Sequence, residues 1–453
     1  MATGIPNPNR GARAPSATTG GEITLTYAGK RPIADILQSE PAVLETVWTP
    51  ADGIAPNRLC YGENLTVLAA LLRDTQVRGK VRLIYIDPPY ATRSVFQSRK
   101  QADAYSDLLE GPAYLEFLRE RLILLRELLA DDGSMYLHLD ENMAFHAKAL
   151  MDEIFGRANF RNWITRKKCN PKNYTRKTYG NVADYILFYS KTDNFVWHRP
   201  VEAWTDKSAE REYSYVEPGT GRRYKKVPIH APGVRNGETG KPWRGMNPPP
   251  GKHWQYLPST LDEMDARGEI YWSSTGNPRR KIYLDDSHGI PVQDIWMDFR
   301  DAHNQNIRVT GYPTEKNPAL MQRLIAASSN PGDLVLDCFA GSGTTLEAAH
   351  RLGRRWLGVD NSAEAIRTIL QRFAKGAEPM GDFVQRMEHE ETFDKEEPTL
   401  PMFELLPAPA KPAIKHVPHE PITNFVLQTS AGFDLSLKGV HWPPTEHRLA
   451  SQD

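Results

Sequence analysis

Cysteine is nearly absent. The 453 residues contain three, Cys60, Cys169 and Cys338, far apart and without metal-ligand spacing. That excludes a disulfide framework or a structural zinc as the basis of the fold, and a reducing, cytoplasmic setting with no metal site is expected. Long apolar runs are missing as well. No stretch of roughly 18 apolar residues occurs, so no membrane span is expected, and the N-terminus carries no apolar segment of the signal-peptide type. Net charge is also lacking, because 56 Lys and Arg balance 56 Asp and Glu. A nucleic-acid binder is often basic overall, so the total gives such a reading no support. No G-x-x-x-x-G-K-[ST] loop is present, which removes the usual means of ATP or GTP hydrolysis. No nuclease or helicase motif is found either.

What is present is unevenly spread. Arg161 to Lys177 holds Arg161, Arg166, Lys167, Lys168, Lys172, Arg176 and Lys177 with no acidic residue. Arg222, Arg223, Lys225 and Lys226 form a second basic cluster, and Arg279, Arg280 and Lys281 a third. Acidic residues gather in Glu388 to Glu397. A phosphate-binding face needs only a fold that joins the basic clusters. Residues 1–25, rich in Gly, Ala, Ser, Thr, Pro and Asn, read as a disordered tail. Residues 376–453, acidic and then proline-rich, read as an appendage without an assignable structure.

Between these ends, strand and helix patterns alternate in two regions, 26–190 and 312–375. Val81 to Ile86 is a short branched apolar run and predicts a buried strand. Tyr114, Leu118, Leu122, Leu125 and Leu129 recur at helical spacing, with Asp132-Gly133 as a stop, and Met135 to Leu139 predicts the next strand. In the second region Leu334–Leu336 and Trp356–Val359 predict strands, and Thr344–Leu352 and Ala363–Phe373 predict helices. Short strand–helix–strand connections imply an α/β fold with a doubly wound, mostly parallel sheet. Residues 191–311 differ, being rich in Pro, Gly, Trp, Tyr and Arg with little periodicity. They predict an irregular insert that reads the substrate.

Two motifs carry chemistry. Asp87-Pro88-Pro89-Tyr90 follows the first strand directly. Two prolines cannot continue a strand ladder, so the chain turns out at the carboxyl end, where open α/β sheets bind ligands. The turn offers a carboxylate from Asp87, a carbonyl from Pro88 and an aromatic plane from Tyr90. Those groups can hold a planar amine by its two N–H bonds and stack on its ring. The second motif, Asp337-Cys338-Phe339-Ala340-Gly341-Ser342-Gly343-Thr344-Thr345, follows the strand Leu334–Leu336. Its glycines allow a tight turn and close approach of a ligand, and the helix behind it offers free N–H groups. Asp360 closes the next strand, where an acid can grip ribose hydroxyls. A dinucleotide site shares these features but needs a third glycine, G-x-G-x-x-G, which G-S-G lacks.

Together the two motifs resemble those of the DNA amino methyltransferases, which pair a D/N/S-P-P-Y/F/W motif with F-x-G-x-G. DPPY precedes FAGSG here, with a long insert between, an order similar to the circularly permuted beta class. Gly62-Glu63-Asn64-Leu65 resembles the family's G-D-x-L segment. Asp132-Gly133-Ser134 resembles its D-G-S. Met151-Asp152-Glu153-Ile154-Phe155-Gly156 resembles a segment of bacterial members, and Thr314-Glu315-Lys316-Asn317-Pro318 its T-x-K-P segment, with Asn317 inserted.

The resemblance implies a class I methyltransferase fold with a seven-stranded sheet, circularly permuted and carrying a target-recognition insert. It implies S-adenosylmethionine as cofactor, held by Asp337, Phe339, Gly341, Ser342, Gly343, Thr344 and Asp360, with Thr314, Lys316 and Glu63 as further contacts. It implies methylation of a flipped adenine in DNA at N6, with Asp87, Pro88, Pro89 and Tyr90 catalytic. Cytosine N4 stays open as the alternative target, and a non-catalytic nucleic-acid-binding subunit as a further one. DNA contacts are expected from Arg166, Lys167, Lys168, Lys172, Arg244 and Trp254. A homodimer or a subunit of a restriction or defence complex would fit.

Overall fold

The structure is a computed structural model. It describes residues 24–50, 53, 55–89, 111–169, 177–299, 310, 312, 315–377 and 419–435, and the backbone alone of 95–97, 103–106, 308–309 and 378–379. The tail expected at 1–25 lies outside these residues up to residue 23. Contacts divide the chain into two compact units, one of 1–198 with 294–453 and one of Arg199–Gln293.

The first unit is built on one large sheet. Its strands are β1 (Leu44–Trp48), β2 (Asn57–Tyr61), β3 (Val81–Ile86), β4 (Leu129–Leu139), β5 (Phe160–Lys167), β6 (Ala183–Ser190), β7 (Ile295–Trp296), β8 (Leu334–Asp337), β9 (Arg355–Asp360) and β10 (Phe425–Ser430). They lie in the order β1-β10-β2-β9-β8-β3-β4-β6-β5-β7. The run from β10 to β4 is parallel throughout, β6 is antiparallel to both its neighbours, and β1 is antiparallel to β10. The sheet is therefore mixed and mostly parallel, with ten strands rather than the seven expected. The three extra strands are edge pieces. The two-residue β7 lies beside β5, and β1 and β10 lie beyond β2. β7 and β10 each follow a long connection, and none of the three exceeds six residues. β10 comes from the C-terminal region read as an appendage, and it pairs along its length with β2.

Helices cover both faces. They are α1 (Asn64–Arg73), α2 (Gly111–Leu128), α3 (Ala144–Phe155), α4 (Pro318–Ser328), α5 (Thr344–Arg351) and α6 (Ala363–Lys375). Alternate residues of a strand point to opposite faces. Ile84, Ile86, Leu137, Leu139 and Leu336 pack with α1, α2 and α3 in one continuous core. On the other face Trp356 meets Phe373 of α6 at 5.2 Å, and the Tyr136 hydroxyl lies 2.6 Å from Ser328 of α4. Strands buried on both faces read as near-continuous apolar runs, which is why Val81–Ile86 was recognisable. Asp132-Gly133 does not stop a helix. α2 ends at Leu128, and the pair lies inside β4 where the register with β3 shifts.

The second unit carries a four-stranded antiparallel sheet, in which Arg223–Pro228 pairs with Pro278–Tyr283. Its core is Ile229, Trp243, Trp254, Leu261, Met264 and Ile270. Among the described residues no helix is long and apolar enough to cross a membrane.

Candidate active site

β3 and β8 are hydrogen-bonded parallel neighbours, with Leu83 opposite Val335 and Ile84 opposite Leu336. Both chemical motifs leave their carboxyl ends on the same side. They open into one cleft, lined by Tyr85, Asp87, Pro88, Pro89, Tyr312, Lys316, Asp337, Phe339, Gly341, Ser342, Thr344 and Asp360 among others. All these residues belong to the first unit. Tyr90 and Thr314 lie outside the described residues.

The glycine-rich turn is shaped as its sequence requires. Gly341 and Gly343 both have positive φ, 52° and 76°. A Cβ on Gly343 would stand 2.9 Å from Ile369, so the turn packs directly on α6. The Gly341 N–H donates to Asp360 Oδ2 at 2.8 Å, and the Ser362 N–H to Oδ1 at 2.9 Å. These bonds hold the acid at the turn, where loss of water pushes its carboxyl up to about 6. Burial pushes Asp337 further, to about 7, with Asp87 and Asp360 adding repulsion. Three carboxylates thus converge on one cleft, a setting suited to a cationic or hydroxyl-rich ligand.

Asp87 is paired on one side and faces an imidazole on the other. Lys316 Nζ lies 2.6 Å from its Oδ2, and His138 Nδ1 lies 3.9 Å from its Oδ1. Lys316, expected at the cofactor, therefore faces the carboxylate of the other motif. Asn317, the inserted residue of that segment, caps α4 by accepting from the Ala319 N–H at 2.9 Å, with Pro318 in the first turn. Cys338 is fully buried and its thiol is pushed well above the ordinary value, by burial first and then by Asp337. It is a packed side chain and not a nucleophile.

Three sequence expectations need correction. Glu63 does not line the cleft. Its carboxylate caps α1 by accepting from the Leu65 and Thr66 N–H groups, and it pairs with Arg121 at 2.5 Å. Arg166 is fully buried, 2.8 Å from Asp184 and donating to the Phe299 carbonyl at 2.6 Å, so it cannot reach a phosphate. Trp254 is 3 % exposed, sits in the core of the second unit and donates its indole N–H to the Lys241 carbonyl. It is not available to stack on a base. Arg244 is at the surface, with its guanidinium already paired to Asp262 and Asp265.

Lys167 ends β5 and Lys168 follows it, its ammonium 3.9 Å from Glu141. Lys172 lies outside the described residues. The second and third basic clusters do come together, since Lys226 stands opposite Lys281 and Pro228 opposite Arg279. Much of that charge is matched internally, by Asp285 and Asp286 on Arg222, Glu210 on Arg223, Glu212 on Lys225 and Glu217 on Lys281. Sequence reading missed Tyr85, His138 and Asp184, because nothing local marks a buried polar residue inside an apolar strand.

A family model described as DNA methylase matches residues 81–371. The chain is 49 % identical over 378 residues to the type II methyltransferase M.EcaI of Enterobacter cloacae, a match covering 82 % of each. It is 25 % identical over 403 residues to the probable type III restriction-modification enzyme HindVI Mod subunit of Haemophilus influenzae. That match covers 74 % of this chain and about half (51 %) of the subunit's length. Among solved structures, the M1.HpyAVI complex with S-adenosylmethionine aligns over 70 % of this chain and 99 % of its own, at 17 % identity and a TM-score of 0.37.

Proposed function

Because this chain belongs to the DNA methylase family, whose methyl donor is S-adenosylmethionine, we propose that it methylates the N6 amino group of adenine at a specific DNA site. The observation that carries this reading is the meeting of the Asp87-Pro88-Pro89 turn and the glycine-rich turn in one cleft, at the ends of two paired parallel strands. The catalytic strand precedes the cofactor strand in the chain, which supports the permuted beta-class order.

The cleft residues fit the cofactor. Asp360 offers acceptor lone pairs to ribose hydroxyls, Gly341 lets the ligand approach the backbone, and Phe339 and Tyr312 offer apolar walls. When bound, the cofactor supplies a methyl group already activated on a sulfonium. Adenine N6 is a weak nucleophile because its lone pair is delocalised into the ring. Asp87 and the Pro88 carbonyl accept its two hydrogens and favour a more tetrahedral nitrogen. These bonds strengthen as positive charge develops there. Alignment in the cleft supplies the rest of the rate. A base inside a duplex cannot reach this turn, so it is flipped out, with Tyr90 stacking on it. Methylation of plasmid DNA followed by nucleoside analysis tests the reading. N6-methyladenine is expected; N4-methylcytosine would place the target in the alternative base, and no modified base would refute catalysis.

Cofactor affinity should depend on pH. Asp337 and Asp360 accept hydrogen bonds at both oxygens, and most strongly, when ionised, and their carboxyls sit near 7 and 6. Binding then favours the deprotonated forms, so affinity rises with pH through that window and levels off above it. Equilibrium dialysis between about pH 8 and pH 5.5 should show a loss of about tenfold or more on the acid side. A flat profile would remove both acids from the cofactor contacts.

For DNA, Lys167 and Lys168 grip phosphate while the second unit chooses the sequence. Replacing both lysines by alanine should weaken binding to all duplexes alike and lower the salt slope by about one per lost phosphate contact. Titrations on cognate and mismatched duplexes at several salt concentrations check this. A relaxed sequence preference with an unchanged slope would reverse the roles.

A further inference from the structure

A chain of polar side chains runs through the sheet beneath Asp87. Tyr85 of β3 is 2 % exposed and lines the cleft. Its hydroxyl lies 2.8 Å from Nδ1 of His138, on the neighbouring strand β4, and His138 is fully buried. The other imidazole nitrogen, Nε2, lies 3.0 Å from Asp184 Oδ2 on β6. Arg166 on β5 stands directly opposite Asp184 and pairs with it at 2.8 Å. Four adjacent strands each contribute one member, among apolar neighbours such as Ile164, Ile186 and Tyr136. Burying charges this way is seldom a gain in stability, because apolar residues of similar volume often do as well or better. The groups therefore call for a functional reason, and Asp87 is the reacting group they adjoin.

We propose that Tyr85, His138 and Asp184 form a positioning relay that keeps the Asp87 carboxylate a hydrogen-bond acceptor for the target amine. This rests on the reading of Asp87 as the catalytic carboxylate. The Asp184 carboxylate favours the imidazole proton on Nε2, since the partner of one ring nitrogen sets the state of the other. Nδ1 then carries a lone pair, accepts the Tyr85 O–H, and turns no proton towards Asp87 Oδ1, 3.9 Å away. Protonated at Nδ1, the imidazole would instead be a cation facing that oxygen and would compete with the amine for it. The charged and titratable groups around His138 are Tyr85 and Asp87 at the end of β3, Asp184 on β6, Arg166 on β5, Lys316 before α4 and Asp337 at the end of β8. Burial alone would raise Asp184, but His138 and then Arg166 and Lys316 outweigh it and hold the carboxyl well below its usual range. Tyr85 is raised far above its ordinary value by burial and then by Asp87, so its hydroxyl keeps its proton to donate.

Tyr85→Phe removes one oxygen and is the primary test, read as the single-turnover methylation rate against pH. Without the hydroxyl, Nδ1 loses the donor it accepts from, and the rate should fall on the acid limb of the profile. The expected fall is about tenfold on the limb, with recovery above it. Cofactor affinity and KM for DNA should stay within about twofold, as expected when only a transition-state interaction changes. In His138→Gln, whose side chain takes up no charge, adding Tyr85→Phe should lower the rate no further. A Tyr85→Phe profile that superimposes on the parent, or a loss equal at every pH, overturns the relay. Asp87→Ala, assayed in parallel, separates the two ideas. An active Asp87→Ala enzyme would sink the catalytic assignment itself, whereas an inactive one beside an unchanged Tyr85→Phe profile would sink only the relay.

Discussion

Asp87→Ala is expected to lower the methyl-transfer rate by about 10²–10³-fold, the usual cost of one aligned transition-state contact, while S-adenosylmethionine still binds. The carboxylate sits at the end of β3 with Lys316 at 2.6 Å, whereas Asp360, the proposed ribose acceptor, and the glycine turn hang from β8 and β9. The proposed amine contact and cofactor contact thus belong to different strands, and one should be removable without the other. Single-turnover rates on cognate DNA and dialysis with labelled cofactor measure the two separately. A fall in cofactor affinity matching the fall in rate would show that Asp87 serves the cofactor. A near-parental rate would end the proposed mechanism.

Trp254→Ala is expected to unfold the second unit. Its indole is 3 % exposed, meets Trp243 edge-on at 6.1 Å and donates to the Lys241 carbonyl at 3.0 Å. Truncating a buried aromatic of this kind costs about 3–5 kcal/mol, and the core cluster of this unit numbers only six buried residues. Hydrogen exchange should show protection lost across residues 199–293 while the first unit keeps its protection and its cofactor. Sequence-specific methylation would then disappear with the unit proposed to choose the site. Arg244→Ala, at the surface, should leave exchange unchanged. Equal protection in Trp254→Ala and the parent protein would show that the indole is not a core residue.

The fold and the cleft were legible in unequal degree. β3, β8 and β9 were readable because strands buried on both faces are unbroken apolar runs, and α6 because its apolar stripe repeats at helical spacing. The DPPY and FAGSG turns were readable because proline and glycine act on the backbone where they stand. β1, β7 and β10 were not, since a short strand at or next to a sheet edge is made by its pairing partners rather than by its own pattern.

The sequence by itself determined which residues can do the chemistry and the order in which the two turns occur. Only the tertiary structure decided which polar side chains face the cleft, because charge and residue type are local properties whereas burial and pairing join distant parts of the chain. Arg166 and Lys167 are neighbours in one basic run. Yet β5 turns Arg166 inward to Asp184, 18 positions along the chain, where it completes a buried ion pair, and leaves Lys167 on the opposite face. Trp254 reads as a stacking residue until the core of its unit closes over it. Glu63 reads as a ligand until α1 takes its carboxylate as a cap. In each case the side chain's role was set by partners that only folding brings within reach.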